Sequence, residues 1–224
     1  MLKMLKSIYS VVKYCVKCDT ELTNYFDCTN GVRQGCVISP ILFCYFLNDL
    51  KDYVSVDSHG IDLDFCKIFL LLFADDLVMF ADTKIELQRL INRLENYCNE
   101  FKLKINMDKT NIIVFRNGGY LRSYEKWFFG DIPVKVVTYY KYLGLVLSSR
   151  LSWYVCQKTL AEQGSKALFA IRSKLTQFGT LSANLLFKIF DTKVLPILTY
   201  GAEIWFNHVS LDSKSTQIST KCFC

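Results

Sequence analysis

Two adjacent carboxylates, Asp75 and Asp76, interrupt the longest apolar stretch of this chain, Ile68 to Ala81. That single feature removes most of the ways the stretch could fold. A membrane span needs about 18 or more apolar residues and tolerates charge poorly at its centre, so this stretch is too short and wrongly charged to be one. The stretch is also too short for two helices. The runs on either side, Ile68–Phe73 and Leu77–Ala81, are each of strand length. The pattern therefore predicts a β-hairpin with Ala74-Asp75-Asp76 at its tip, in a segment otherwise buried on both sides. Taken alone, the pair is as readily a solvated turn as a divalent-cation site.

The sequence around this hairpin predicts a mixed fold. Leu2, Leu5, Ile8, Tyr9 and Val12 share one helical face, so residues 2–12 read as the end of an amphipathic helix. Residues 13–28 alternate around Asp19 as a hairpin would. Gly31 to Gly35 is a polar loop, after which Ser39 and Pro40 have the pattern of a helix cap and first turn. The helix that follows, Ile41 to Leu50, is apolar almost all round and so is expected to be buried on most sides.

Thr83 and Glu86 form a capping-box pattern. Behind it Leu87, Leu90, Ile91, Leu94, Cys98 and Phe101 make one helical stripe. Strands are expected at Leu103–Ile105 and Ile112–Phe115, with Lys109 between them. A turn is expected at Asn117-Gly118-Gly119, and a strand and turn over Tyr140–Leu147. From Trp153 onward the pattern is helical: one helix over about 155–176, and another from Ser182 that Pro196 ends or kinks. The Ser-, Thr- and Lys-rich residues 207–224 read as a loose tail.

Composition narrows the function. A length of 224 residues suits one or two domains and buries roughly 70% of the unfolded surface. Any domain break is expected near residue 150. The net charge of +6, from 27 Lys and Arg against 21 Asp and Glu, suits a polyanionic partner, although a slightly basic soluble protein has the same balance. Ten cysteines could suggest disulfides. Cys36, Cys44, Cys66 and Cys98, however, lie in apolar segments, where free cysteine behaves as a small hydrophobe. No secretory signal is recognisable at the N-terminus, so a reducing, intracellular location in nucleus or cytoplasm is expected.

Other chemistries lack their parts. His59 and His208 fit no Ser-His-Asp or Cys-His pattern. There is no phosphate-binding G-x-x-x-x-G-K loop and no G-x-G-x-x-G. Cys15-x-x-Cys18 has no matching second pair, so zinc is not expected. Within the loop Gly31-Val-Arg-Gln-Gly35, the glycines allow close backbone approach to a ligand, and Arg33 and Gln34 could hydrogen-bond a nucleotide; a plain helix-capping loop would look similar. Lys109 and Tyr140-Lys-Tyr142-Leu143-Gly144 likewise have ordinary readings as a solvated turn and a packed hairpin.

Taken in order, these segments resemble the reverse transcriptases of non-LTR (LINE-type) retrotransposons over about residues 1–206. GVRQGCVISPILFCYFLNDL looks like the family's template- and nucleotide-contacting motif with its palm helix. LLFADDLVMFA looks like its catalytic hairpin, LKINMDKTNIIVF like the motif whose lysine lies near the triphosphate, and YYKYLGLVL like its primer grip. LPILTYGAEIW resembles the helical region after the palm. Val37 stands where the family commonly has proline.

The resemblance implies an α+β fold: a right-hand polymerase palm, with an antiparallel sheet and packed helices over 1–150, then a helical thumb-like region over 151–206. It implies two-metal nucleotidyl transfer with Mg2+, or Mn2+, held by Asp75 and Asp76. Gly31, Arg33, Gln34 and Gly35 would contact nucleotide and template, Lys109 would assist the leaving group, and Tyr142, Leu143 and Gly144 would hold the primer. RNA template, DNA primer and deoxynucleoside triphosphates are the implied partners, with no membrane; the oligomeric state stays open. The family's first palm strand, which bears a further metal-binding Asp, and its fingers have no counterpart here. The chain is therefore expected to be a fragment inactive by itself, with a non-catalytic nucleic-acid-binding remnant or pseudogene product as the alternative.

Overall fold

The computed structural model describes residues 2–10, 12–27, 31–55, 60–63, 66–116, 125–175 and 182–206. These form two compact units. One takes the described parts of Met1–Lys104 and Trp127–Asp131, the other those of Ile105–Lys126 and Ile132–Cys224.

The first unit opens with helix α1 (Leu2–Tyr9) and four short strands, β1 (Lys13–Tyr14), β2 (Lys17–Cys18), β3 (Glu21–Leu22) and β4 (Phe26–Asp27). β2 pairs with β3 and β1 with β4, both antiparallel, so the hairpin expected around Asp19 is present. Asp19 takes the left-handed conformation that closes it, one that Asp tolerates better than most residues. Helices α2 (Ser39–Phe46) and α3 (Leu50–Ser55) follow, then β5 (Ile61–Leu63), β6 (Cys66–Ile68), β7 (Leu70–Phe73) and β8 (Asp76–Met79).

Helix α4 (Lys84–Glu100) is the spine of this unit. Thr83 caps it, its hydroxyl accepting from Glu86 N–H at 3.2 Å. Glu86 does not close the box on Thr83. Its carboxylate accepts instead from Asp82 N–H and from Gly60 N–H, and so ties the helix start to the strand before it. Leu90, Ile91, Leu94 and Cys98 are buried as their spacing predicts, and so is Tyr97, which the apolar stripe omits. Leu50 and Val54 of α3 are buried too, and residues of α3 and α4 lie close together.

The segment carrying β10 (Phe128–Phe129) docks on α4 through side chains. Gln88 donates to Phe128 C=O and accepts from Phe128 N–H, at 2.7 and 3.0 Å, much as a neighbouring strand would. The Trp127 indole donates to Lys84 C=O, and Gly130 N–H donates to Glu95.

The second unit begins with β9 (Asn111–Ile112), which pairs in parallel with β12 (Lys135–Val136). β11 is Ile132–Pro133. β13 (Tyr139–Tyr142) and β14 (Leu145–Ser148) form an antiparallel hairpin. Helices α5 (Tyr154–Leu175), α6 (Ala183–Lys193), α7 (Leu195–Leu198) and α8 (Ala202–Trp205) complete it. Leu145, Cys156 and Leu160 are its buried cluster, with Val146, Trp153 and Trp205 packed on them. Ser182 caps α6, and Pro196 lies in the first turn of α7, where the chain departs from α6.

The α+β class expected from sequence is present, but several local expectations are not. Helix α2 stops at Phe46, and Ile41 and Tyr45 are 68% and 80% exposed, so it is not buried on most sides. Ser39 is not its cap, because its hydroxyl is already committed to Arg33 C=O. Residues 103–105 are not a strand, and the next strand is confined to Asn111–Ile112. Leu103 N–H instead closes the end of α4 by donating to Cys98 C=O, and Asn106, whose side-chain oxygen accepts from Asp108 and Lys109 N–H, makes a turn just after it. The sheet is a set of two-stranded pieces, one of them parallel. Cys44 and Cys66 are exposed rather than core residues, whereas Cys98 and Cys156 are buried. The Asn117-Gly118-Gly119 turn, His59, His208 and the 207–224 tail lie outside the described residues.

Candidate polymerase site

The hairpin expected across the acidic pair forms, but its turn is one residue shorter than the Ala74-Asp75-Asp76 tip expected, since Asp76 already belongs to β8. Leu70 faces Met79, Leu71 faces Val78, Leu72 faces Leu77 and Phe73 faces Asp76, and Ala74 and Asp75 make the two-residue turn. Ala74 has φ +52°, a left-handed conformation that usually belongs to glycine and costs an alanine about 1–2 kcal/mol. Strained turns of this kind cluster at functional sites.

Asp75 and Asp76 are both exposed at this tip. Neither carboxylate has a hydrogen-bond or ion-pair partner among the described residues. The flanks are not buried as expected. Leu71 and Leu72 are partly exposed, and Phe73 is 61% exposed. The reason is that β7 and β8 make their extensive contacts with each other, and no other described helix or strand packs closely over their faces.

Two adjacent carboxylates supply the hard oxygen donors that Mg2+ or Mn2+ prefers. Their number is insufficient. Among the described residues no group of three or more His, Cys, Asp or Glu side chains could hold a metal ion. The donor type fits a divalent cation, but the two residues do not make a complete site.

In the same unit Gly31 and Gly35 both have positive φ, and open space surrounds the position of each missing side chain. Arg33 C=O accepts from Cys36 N–H and from the Ser39 hydroxyl, so the loop's backbone is pinned at the start of α2. Ser39 in turn lies 3.1 Å from the Tyr9 hydroxyl. The Arg33 and Gln34 side chains are exposed. The Cys36 thiol is held below its ordinary pKa, first by the backbone N–H of Ile38 and then by Tyr9.

The second unit carries the other candidates. Lys109 is exposed, yet its backbone is fixed: Asn106 accepts from its N–H, while its C=O accepts from the Tyr140 hydroxyl at 3.2 Å and from the Asn111 side chain at 3.0 Å. Tyr142 ends β13, and Leu143 and Gly144 form the turn into β14, with φ of +44° and +89°. Gly31, Arg33, Gln34, Gly35, Asp75 and Asp76 thus belong to one unit, and Lys109, Tyr142, Leu143 and Gly144 to the other. Sequence reading missed Tyr200, whose hydroxyl donates to Leu143 C=O at 2.8 Å. Nothing local marks a contact between residues so far apart in the chain.

A family model described as reverse transcriptase (RNA-dependent DNA polymerase) matches residues 2–147. The chain belongs to the reverse transcriptase family. It is 25% identical over 214 residues to the "Probable RNA-directed DNA polymerase from transposon X-element" of Drosophila melanogaster, a match covering 90% of this chain and 22% of that protein. It is 29% identical over 191 residues to the "Retrovirus-related Pol polyprotein from type-1 retrotransposable element R2" of Popillia japonica, covering 81% of this chain and 30% of that one. It is 20% identical over 226 residues to the "RNA-directed DNA polymerase from mobile element jockey" of Drosophila melanogaster, covering 90% and 22%. This reverse transcriptase domain is accordingly of the non-LTR, LINE type, and it spans between about a fifth and a third of the length of these relatives. No helix among its described residues is long and apolar enough to cross a membrane.

Proposed function

We propose that residues 1–150 form the palm and 151–206 a thumb-like region of an RNA-directed DNA polymerase. The observation carrying this reading is the β7–β8 hairpin, which sets the consecutive residues Asp75 and Asp76, both exposed, at a tight turn where Ala74 is strained. On this reading Asp75 and Asp76 are two of the carboxylates of a two-metal nucleotidyl-transfer site that uses Mg2+ or Mn2+. Bound cations there supply charge neutralisation and a more acidic primer 3′-hydroxyl. The chain's own contribution is placement. Arg33 and Gln34, with Gly31 and Gly35 keeping the approach open, contact the deoxynucleoside triphosphate and the RNA template. Lys109, its backbone tied to Asn106, Asn111 and Tyr140, offers a cation to the triphosphate. Tyr142, Leu143 and Gly144 hold the end of the DNA primer.

The two carboxylates lack a third described ligand, so the 224-residue chain by itself does not extend a primer. A primer-extension assay with Mg2+ and with Mn2+ tests this. Robust incorporation that Asp75→Ala abolishes would overturn the inactivity and keep the polymerase reading. Incorporation that survives Asp75→Ala and Asp76→Ala would overturn the site.

A second reading, a non-catalytic nucleic-acid-binding remnant, has its own support. Lys158, Lys166, Arg172 and Lys174 on α5 and Lys188 and Lys193 on α6 are all exposed. Binding to primer–template that weakens steeply with salt, with no incorporation, favours it.

A further inference from the structure

The Leu143–Gly144 turn is held from outside its own hairpin. Leu143 has φ +44°, a conformation that a non-glycine residue keeps only where its surroundings impose it. The Tyr200 hydroxyl supplies one such constraint, donating to Leu143 C=O at 2.8 Å across 57 residues of sequence. The ring of Tyr200 supplies another. It lies so close to Gly144 that a side chain there would sit 2.8 Å from Tyr200 Cε1. The contact continues on the far side: a side chain on Gly201 would meet Leu145 at 2.8 Å. Tyr200 is itself anchored, since its C=O accepts from the Trp205 indole at 2.9 Å and Trp205 packs on the Leu145 cluster.

We propose that Tyr200 is a positioning residue, whose hydroxyl and ring set the Leu143–Gly144 turn in the place from which it holds the primer end. The proposal rests on reading Tyr142, Leu143 and Gly144 as the primer grip. It adds that the grip is built by two distant parts of the chain, the β13–β14 turn and the α7–α8 connection. Tyr200 does not touch the reacting atoms. Because it is about half exposed, at 49%, water can reach the Leu143 carbonyl when the hydroxyl is removed, so Tyr200→Phe should loosen the turn without unfolding the unit.

The experiment uses the full chain as wild type and Y200F. Amide hydrogen exchange at residues 143–145 is measured without nucleic acid, and the thermal transition alongside it. Fluorescence anisotropy then compares an RNA–DNA duplex bearing a recessed DNA 3′ end with a blunt duplex. The expected result is exchange at the turn faster by about fivefold and a preference for the recessed end smaller by a similar factor, the worth of one ordinary hydrogen bond, with blunt-duplex affinity unchanged and melting lowered by no more than that one bond accounts for. Unchanged exchange at 143–145 overturns the proposal even where the wild type prefers the recessed end. Faster exchange with an unaltered preference shows that the lock does not serve the primer, and also overturns it. Equal weakening on both duplexes with lower melting, or a Y200F chain that no longer folds, marks Tyr200 as structural and overturns it. A wild type with no preference at all refutes the primer-grip reading itself, and with it this proposal, and the wild-type titration alone identifies that outcome.

Discussion

Removing one oxygen atom, in Tyr97→Phe, tests the packing of the unit that carries the acidic hairpin. Tyr97 is fully buried, with its ring 4.4 Å from Phe101 and 5.3 Å from Tyr53 between centroids. Its hydroxyl donates to Asp49 Oδ1 at 2.8 Å and lies 3.3 Å from Phe46 C=O. Phenylalanine keeps both ring contacts and loses the hydrogen bond. A bond to a charged acceptor contributes about 1.5–3 kcal/mol, but exposed Asp49 regains water in the variant, so the expected loss is near the bottom of that range, about 1.5–2 kcal/mol. The pH dependence carries the sharper signature. Burial first, and then the Asp49 carboxylate, hold the Tyr97 phenol well above its ordinary value of 10.0. In alkali the unfolded chain therefore gives up this proton before the folded one, so the stability contribution is whole below pH about 10 and drains away above it, by up to about 1.4 kcal/mol per pH unit. Tyr53 shifts in the same direction and is common to both proteins, so the difference between them isolates Tyr97. Urea unfolding followed by circular dichroism at pH 7 and at pH 11 measures both effects. The variant should be less stable at pH 7, with the gap narrowing at pH 11. Equal stability at pH 7, or a gap that widens with pH, would refute the reasoning.

Four further outcomes follow from the same geometry. Ala74→Val places a β-branched residue at φ +52° and should lower stability by about 1–3 kcal/mol in urea titrations. Gly60→Ala sets a methyl group 2.7 Å from the backbone oxygen of Ile68 and should lower the melting temperature by several degrees, of the order that ~2 kcal/mol produces. Iodoacetamide at neutral pH should modify Cys36 well before Cys98, because neighbouring N–H and O–H groups lower the first thiol's pKa and burial raises the second's; mass spectrometry of early time points decides it. Asp75→Asn combined with Asp76→Asn should abolish the line broadening that Mn2+ causes in turn-residue NMR signals while leaving the fold intact. Broadening that persists would remove the pair from the cation site.

What the sequence made legible is what neighbours in the chain decide. The β7–β8 turn, the Thr83 cap and the β13–β14 hairpin each arise from residues a few positions apart, and each was readable. Tyr97 could have been found, since it shares the spacing of Leu94 and Phe101, but its polar tip hides it from an apolar count. The docking of Trp127 and Phe128 on α4 was not readable, because one glutamine and one indole accomplish it from 40 or more residues away. The same holds for Tyr200 and Leu143. Exposure failed to follow from hydrophobicity for α2 and the hairpin flanks, since a side chain's apolar character does not say which surface meets it. For Leu103–Ile105 the closing turn of α4, which takes the Leu103 N–H, outweighed strand propensity. The candidate site was legible as a set of short motifs, while the support beneath them was not.

Among the described residues no third strand pairs with the β7–β8 hairpin, which leaves its outward main-chain amides and carbonyls open to zip onto an extended partner. Such a lodger would stiffen the ribbon and dictate where the two carboxylates aim. Identical chains at high concentration compete for the same berth, so fibrous or oligomeric by-products should increase with protein concentration and decline when a strand-blocking proline is placed at Leu72, whose N–H faces away from β8.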